Sequence, residues 1–315
     1  WNIGIRKRQD GIFSKGKKFK ILKNPWWGWL ADPFIIKKDG RTYIFAEVWN
    51  YFRQWGSIAY AEYSNGKIGK WKSVISEFYH LSYPHLWEEN GQIYMCAETN
   101  ESQSLYLYKA VDFPNKWAKF KIIKDNIICA DSTFLKDKNS KNKYCFTFVI
   151  GNEGKGHLSR ITCDDKYNFI NETLDITDDM RYARPGGAFI NYENKIVRVA
   201  QNCSESYGQS IFFMEVNKNA FGVYKEKIMF ERKIEDITND AGLKPIGMHT
   251  YNFSEDYEVT DFRVEKFNIF DCFFYYLRPV RNFAGRNIMK IIDSHLHYCP
   301  GSPYFDEIAA RAEHI

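Results

Sequence analysis

Five stretches that open alike, recur about every fifty residues and read as runs of short strands predict an all-β fold. The expected architecture is a five-bladed β-propeller with a short C-terminal strand and helix tail. The repeat is the first observation behind it. Ala31-Asp32-Pro33-Phe34 is echoed by Ser82-Tyr83-Pro84-His85, Ala130-Asp131-Ser132-Thr133 and Ala183-Arg184-Pro185-Gly186, and more faintly by Gly247-Met248-His249-Thr250. The starts at 31, 82, 130, 183 and 247 are separated by 51, 48, 53 and 64 positions. The second observation is the polar turn after an opening (Lys38-Asp39-Gly40, Glu89-Asn90-Gly91, Glu193-Asn194-Lys195), which leads into a second apolar strand, the signature of a hairpin. The third is composition. The 21 Tyr, 25 Phe and nine Trp favour the pleated surface of a sheet over a helix.

Third strands come next at 57–61, 104–108, 157–161 and 210–214, and fourth strands at 71–75 and 120–123. The N-terminal segments around Ile3-Gly4-Ile5 or Phe19 to Leu22 are expected to complete the last blade. A β-sandwich would also supply short, evenly spaced strands, but gives no reason for similar tetrapeptides at the same point of each unit. The propeller is assigned to residues 1–275, and residues 276–315 to a linker and the tail.

The net charge of +5, from 44 basic and 39 acidic residues, is close to balanced. The cluster Arg6-Lys7-Arg8 with Lys15, Lys17, Lys18 and Lys20 reads as a solvated face. No helix-turn-helix, RNP or zinc-finger pattern accompanies it, so nucleic acid is not an expected partner. No apolar run reaches the roughly 18–20 residues of a membrane span. Seven widely spaced cysteines without a C-x-x-C pair read as buried free thiols in a reducing compartment. Together with the lack of a visible signal peptide, this makes the cytoplasm the expected location.

Inner strands of a propeller line its axis, so equivalent positions of successive units converge there. The second tetrapeptide residue reads Asp32, Tyr83, Asp131, Arg184 and Met248 around the ring. Two carboxylates, a phenol and a guanidinium facing one funnel would perturb one another's pKa, which is how an acid and a base are separated. Each taken alone has a structural reading, as a turn opener, an Asx turn or an ion pair; the shared register favours a site. Glu205, in the polar segment that joins two apolar strands of the fourth unit, is the third candidate carboxylate beside Asp32 and Asp131. Glu47 and Glu98 end equivalent second strands; Gln201 and Tyr207 flank Glu205; and His85, Arg184 and His249 are candidates to grip a sugar hydroxyl or a phosphate. Trp29, in the run Trp26-Trp27-Gly28-Trp29, would offer a flat face on which a sugar ring stacks.

Asp32-Pro33-Phe34, Leu81-Ser82-Tyr83-Pro84, Gly91-Gln92-Ile93-Tyr94-Met95, Asp131-Ser132-Thr133, Arg184-Pro185-Gly186-Gly187 and Glu205-Ser206-Tyr207-Gly208 carry a resemblance. Over about residues 24 to 255 the chain resembles the five-bladed propeller domain of glucosamine inositolphosphorylceramide transferase proteins and their bacterial relatives. That domain is similar in turn to the furanosidase-type propellers of glycoside hydrolase families 32, 43, 62 and 68. The resemblance implies three acids acting as base or nucleophile, pKa modulator and proton donor, which by motif fall on Asp32, Asp131 and Glu205. Asp131 departs from the hydrolase pattern in being followed by Ser-Thr rather than Pro. The function expected is hydrolysis or transfer of a glycosyl unit on a glycan or glycoconjugate. The alternative is a non-catalytic sugar-binding propeller serving a separate glycosyltransferase, fused or neighbouring, with a nucleotide-sugar as a further ligand. No cofactor is expected.

Met289 to Tyr298, with His295 and His297 on one side of a strand, resembles the opening of an amidohydrolase barrel, where such a pair ligates a metal. Only 18 residues lie beyond His297, too few for the other ligands, so no metal is expected. The tail reads as the truncated start of a second domain or of a read-through neighbouring frame.

Overall fold

The computed structural model describes residues 1–8, 17–135, 140–151, 156–218 and 224–265. The tail with His295 and His297, and the last ten residues assigned to the propeller, lie outside them. Strands β1 (Asn2–Lys7) and β2 (Lys20–Leu22) precede the first repeat. Blade 1 comprises β3 (Gly28–Lys38), β4 (Arg41–Asn50), β5 (Trp55–Ser64), β6 (Lys67–Ile68) and β7 (Lys72–Ile75). Blade 2 comprises β8 (Ser82–Glu89), β9 (Gln92–Glu98), β10 (Ser104–Asp112) and β11 (Lys116–Asp125). Blade 3 comprises β12 (Cys129–Leu135), β13 (Lys143–Ile150), β14 (Gly156–Cys163) and β15 (Phe169–Thr177). Blade 4 comprises β16 (Arg184–Pro185), β17 (Ile190–Tyr192), β18 (Lys195–Asn202), β19 (Ser210–Lys218) and β20 (Tyr224–Lys233). The ring closes with β21 (Tyr251–Phe253) and β22 (Tyr257–Phe262), to which both N-terminal strands attach in the order β2-β1-β22-β21. Five antiparallel sheets, one per repeat, make the chain a five-bladed propeller. The described helical turns are two single 3-10 turns, Asn100–Ser102 and Ile234–Asp236.

Hydrophobic burial falls between blades rather than in one central core, because each sheet has two apolar faces and buries both against its neighbours. The main apolar clusters follow this plan. Phe34, Phe45, Leu81 and Met95 pack between blades 1 and 2; Cys96, Leu105, Cys145 and Ile161 between 2 and 3; and Phe146, Leu158, Ala183 and Val216 between 3 and 4. Val199, Phe213, Met248 and Tyr251 fill the seam between blades 4 and 5, and Ile3, Ile5, Ile44 and Val259 the seam that closes the ring. The five described cysteines are buried free thiols, as expected from their apolar strand contexts. No described helix is long and apolar enough to cross a membrane.

Three inner strands share one irregularity. In β3, β8 and β12 an extra residue interrupts the pairing with the second strand, between Ala31 and Phe34, Ser82 and His85, and Ala130 and Thr133. The bulged residues Asp32, Tyr83 and Asp131 have φ of 51°, 46° and 53°. A left-handed backbone is uncommon outside glycine, most of all for a bulky Tyr, and costs about 1–3 kcal/mol. It turns each residue's backbone N–H across the seam towards the preceding blade.

The closing blade is held by a buried ion pair as well as by strands. Arg6 donates from Nη2 to Glu258 Oε2 at 3.0 Å and to the Tyr251 hydroxyl at 3.2 Å, and that hydroxyl donates to Glu258. Arg6 also lies over the Phe19 ring at 4.3 Å. Removing one partner of a buried pair leaves a charge uncompensated. Arg6→Met is expected to lower stability by about 3–5 kcal/mol in chemical unfolding, and the double variant Arg6→Met/Glu258→Leu to recover much of that loss.

Candidate functional site

The three bulges place polar side chains at the axis, and each N–H turned out by the left-handed backbone meets a carboxylate. Asp32 N–H donates to Asp261 Oδ2 at 2.9 Å, Tyr83 N–H to Asp32 Oδ2 at 3.1 Å, and Asp131 N–H to Glu98 Oε2 at 3.3 Å. On the next blade Arg184 Nε donates to Asp131 Oδ2, which also accepts from Gln201 Nε2 at 2.8 Å. Gln201 donates to the Pro185 carbonyl as well, and the Tyr83 hydroxyl pairs with Thr133 Oγ1 at 2.9 Å. The second strands of blades 2 and 5 thus contribute Glu98 and Asp261 beside the inner-strand Asp32 and Asp131.

In the fifth unit Met248 packs in the apolar seam between blades 4 and 5 instead of facing the axis. His249 and Thr250 face it, because both their N–H groups reach Asp261 Oδ1 at 3.0 Å. His249 Nδ1 lies 2.5 Å from Asp261 Oδ2 and 3.5 Å from Asp32 Oδ1, while Thr250 Oγ1 donates to Asp32 Oδ1 at 2.7 Å. The Trp1 ring stacks on the His249 ring at 4.1 Å, and Tyr207 meets His249 edge-on at 5.2 Å. The Arg184 guanidinium stands 5.5 Å from the Tyr207 ring centre.

Burial governs the electrostatics. Asp32 is raised from 3.8 to about 6, first by burial and then by the charges of Asp261 and Asp131, against the pull of His249. Glu98 is raised well above the ordinary carboxylate value by burial and by Asp131, with Arg184 opposing. Burial would lower His249, but Asp261 and Asp32 override it and leave its pKa above the usual value. Burial also pushes the hydroxyls of Tyr83 and Tyr207 well up, so both remain neutral donors. The site therefore combines carboxyl groups, two of them with raised proton affinity, and cationic groups in a buried cluster.

Asp32, Asp131, Tyr83, Glu98, Arg184, Gln201, Tyr207 and His249 thus come together, while the other candidates fall elsewhere. Glu205 is exposed on the β18–β19 loop, two residues before Tyr207, and accepts from Gln209 Nε2 at 3.2 Å. Its loop reaches the site through Tyr207; its carboxylate is not in the buried cluster. His85 is wedged between Phe34 and Trp87, and burial lowers its pKa to about 3. Trp29 stacks on Trp49 at 5.6 Å. Glu47 is fully buried beside His80, Oε1 to Nε2 3.7 Å. His80 accepts Gly56 N–H through Nδ1 at 2.8 Å, and burial drives its pKa to about 3, so it is neutral. Gly56 has to be glycine here, since a Cβ would stand 2.5 Å from Glu47 Oε1.

Sequence reasoning missed Asp261, Thr250, Thr133 and Trp1. Asp261 had a signal, because Val-Thr-Asp-Phe ends the second strand of the last hairpin as Phe-Ala-Glu-Val does in the first. Asp32, His249 and Asp261 are the described residues that could hold a small cation, their ligand atoms all lying within 4.8 Å of one another. As they stand, the same atoms are engaged by the hydrogen bonds among them and to Thr250.

The family described as "Glucosamine inositolphosphorylceramide transferase 1, N-terminal" matches residues 25–241. The chain is 29% identical over 211 residues to glucosamine inositolphosphorylceramide transferase 1 of Arabidopsis thaliana and 25% identical to that of Oryza sativa subsp. indica. Each match takes in 62% of this chain, but the chain spans only about a quarter of those relatives' length, 26% and 27%. Among solved structures, the catalytic domain of the Coprinopsis cinerea GH62 α-L-arabinofuranosidase superposes with a TM-score of 0.53 at 11% identity, over 70% of this chain and 76% of that one. A thermostable family-43 glycoside hydrolase gives 0.52 at 13% identity, over 76% and 90%. At such identities these two likenesses establish the propeller fold alone.

The raised pKa of Asp32 has a definite sign. The folded state holds the proton more tightly than the unfolded chain, so this group's contribution is fully present below about 3.8 and is lost as pH rises through about 6. Asp32→Asn cannot ionise. Its stability relative to the parent is therefore expected to improve by about 2 kcal/mol between pH 4 and pH 7, read from urea unfolding at each pH.

Proposed function

The chain belongs to the glucosamine inositolphosphorylceramide transferase 1 N-terminal family, and on that premise we propose that its axial site acts on a glycan or glycoconjugate, hydrolysing or transferring a glycosyl unit. The observation that carries this reading is the cluster of Asp32, Glu98 and Asp131, carboxyl groups from three successive blades buried together beside Arg184. Glycosyl chemistry needs a carboxylic acid that gives a proton to the leaving oxygen and a carboxylate that attacks or activates the acceptor. Burial raises the proton affinity of Glu98, which suits the donor; Asp131, paired with Arg184, suits the carboxylate. Glu98 thus takes the role that the sequence motif assigned to Glu205. Glu205, on the surface loop that carries Tyr207, is placed to meet the more distant part of a substrate. Tyr83, Gln201 and His249 supply donors for sugar hydroxyls, and the Trp1 and Tyr207 rings supply apolar surface for its C–H faces.

A second reading is a binding module that serves a separate glycosyltransferase, with a nucleotide-sugar or the glycan acceptor as ligand. One observation favours it: axial carboxyl groups already accept backbone N–H groups from neighbouring blades.

Glu98→Gln and Asp131→Asn, assayed on a panel of glycans and nucleotide-sugars, separate the two. The catalytic reading expects turnover to fall at least about 100-fold in each with binding retained in calorimetry. Binding by the parent protein without any product supports the module. Undiminished turnover in both variants would refute the catalytic assignment.

A further inference from the structure

Three of the largest exposed apolar side chains of the molecule sit on one rim. Trp26 is 76% exposed, Phe52 47% and Phe78 97%. Trp26 lies in the turn before β3, Phe52 in the β4–β5 loop and Phe78 in the β7–β8 loop, and these segments are tied together. The Trp26 and Phe52 rings meet edge-on at 6.0 Å, Tyr51 N–H donates to the Trp27 carbonyl at 3.0 Å, and Arg53 Nη1 donates to Ser76 Oγ at 3.2 Å, two residues from Phe78. The rim lies at the end of blade 1 where β3 begins and β4 ends, the end nearer the Asp32 bulge. Trp49, three residues before Phe52, stacks on Trp29 and tilts against His80 at 5.6 Å, and His80 faces Glu47.

Exposed Phe and Trp rings leave apolar surface in water that a folded chain would otherwise bury, and a group of them on one rim marks an interaction surface. The charge around them selects the partner. Lys23 and Arg53 are exposed on the same segments, and the acid among residues 23–29, 50–56 and 76–79, Glu77, is neutralised by Lys119 at 2.9 Å. Aromatic tips flanked by cations suit the boundary of an anionic bilayer, where rings enter the acyl border and Lys or Arg meets phosphate. An aqueous glycan would leave an almost wholly exposed Phe78 still in water.

We propose that Trp26, Phe52 and Phe78, with Arg53, dock the funnel rim on the headgroup layer of an anionic lipid bilayer, so that a lipid-linked glycan enters the axial site from the membrane. This rests on the glycoconjugate reading above and adds to it the surface from which the substrate is reached. The occupant is a membrane surface, not a second protein.

The test uses the whole chain and vesicles of phosphatidylcholine with or without phosphatidylinositol. Co-sedimentation is expected with phosphatidylinositol present, weakening as salt is raised. The triple variant Trp26→Ala/Phe52→Ala/Phe78→Ala is expected to lose at least about tenfold in vesicle affinity, while its thermal midpoint and its binding of a soluble inositol-phosphate glycan stay at parent values. Phe78→Ser alone, at a side chain with almost no intramolecular contact, gives a partial loss free of any folding effect. The proposal is overturned if the parent ignores vesicles, if the triple variant binds them as well as the parent, or if the variant loses the soluble glycan instead. Failure of the glycosyl reading shows separately, as a parent protein that binds no soluble glycan.

Discussion

The ring depends on one recurring contact, a backbone N–H of a left-handed residue on an inner strand donated to a carboxylate of the preceding blade. Asp32 N–H meets Asp261, Tyr83 N–H meets Asp32, and Asp131 N–H meets Glu98. A bulged N–H cannot join its own sheet ladder, and an unmet one at the dry axis would cost about as much as a lost hydrogen bond. Each carboxylate supplies that bond across the seam and so fixes how far one blade rotates against the next. Where the fourth blade lacks such a bulge, side chains take over. Arg184 and Gln201 reach back to Asp131, and Asn252 bridges the Ala188 N–H of blade 4 to the Pro33 carbonyl of blade 1.

Structure and chemistry therefore draw on the same groups. A carboxyl group that accepts a fixed N–H cannot swing, so Asp261, Asp32 and Glu98 hold their places, and Asp131 is held by the side chains of Arg184 and Gln201. Packing acids around one axis also raises the proton affinity of Asp32 and Glu98, against the charges of His249 and Arg184 and the hydrogen bonds from Thr250 and the Asp131 N–H. The apolar half of the architecture lies farther out. Trp1 and Tyr207 flank His249, the Trp29–Trp49 stack stands at the edge of blade 1, and the exposed Trp26, Phe52 and Phe78 end the series at the rim.

Much of the scaffold could be read from the chain alone, and some of the site. The blade count, the hairpins and the attachment of the N-terminal strands to the last blade followed from the repeat and its turns, and both proposed closing segments, β1 and β2, pair there. The axial placing of Asp32, Tyr83, Asp131 and Arg184 followed from register. Register failed at Met248, because no residue from 248 to 252 takes the left-handed backbone of Asp32, Tyr83 and Asp131, and the polar direction passes to His249 and Thr250. It misjudged His85, one position past the bulge, which turns into the seam beside Trp87.

The chain by itself determined that five sheets form and which residues open each inner strand, because period-two alternation, polar turns and a repeated tetrapeptide are local properties that survive without knowledge of the partners. Only the tertiary structure decided which acids share the dry cluster. Glu98 and Asp261 enter it and Glu205 stays in water, since burial depends on how neighbouring blades cover a second-strand end and leave a loop outside. The raised proton affinity of Asp32 and Glu98 follows that burial and not the residue type, so it could not be written in the order of the residues.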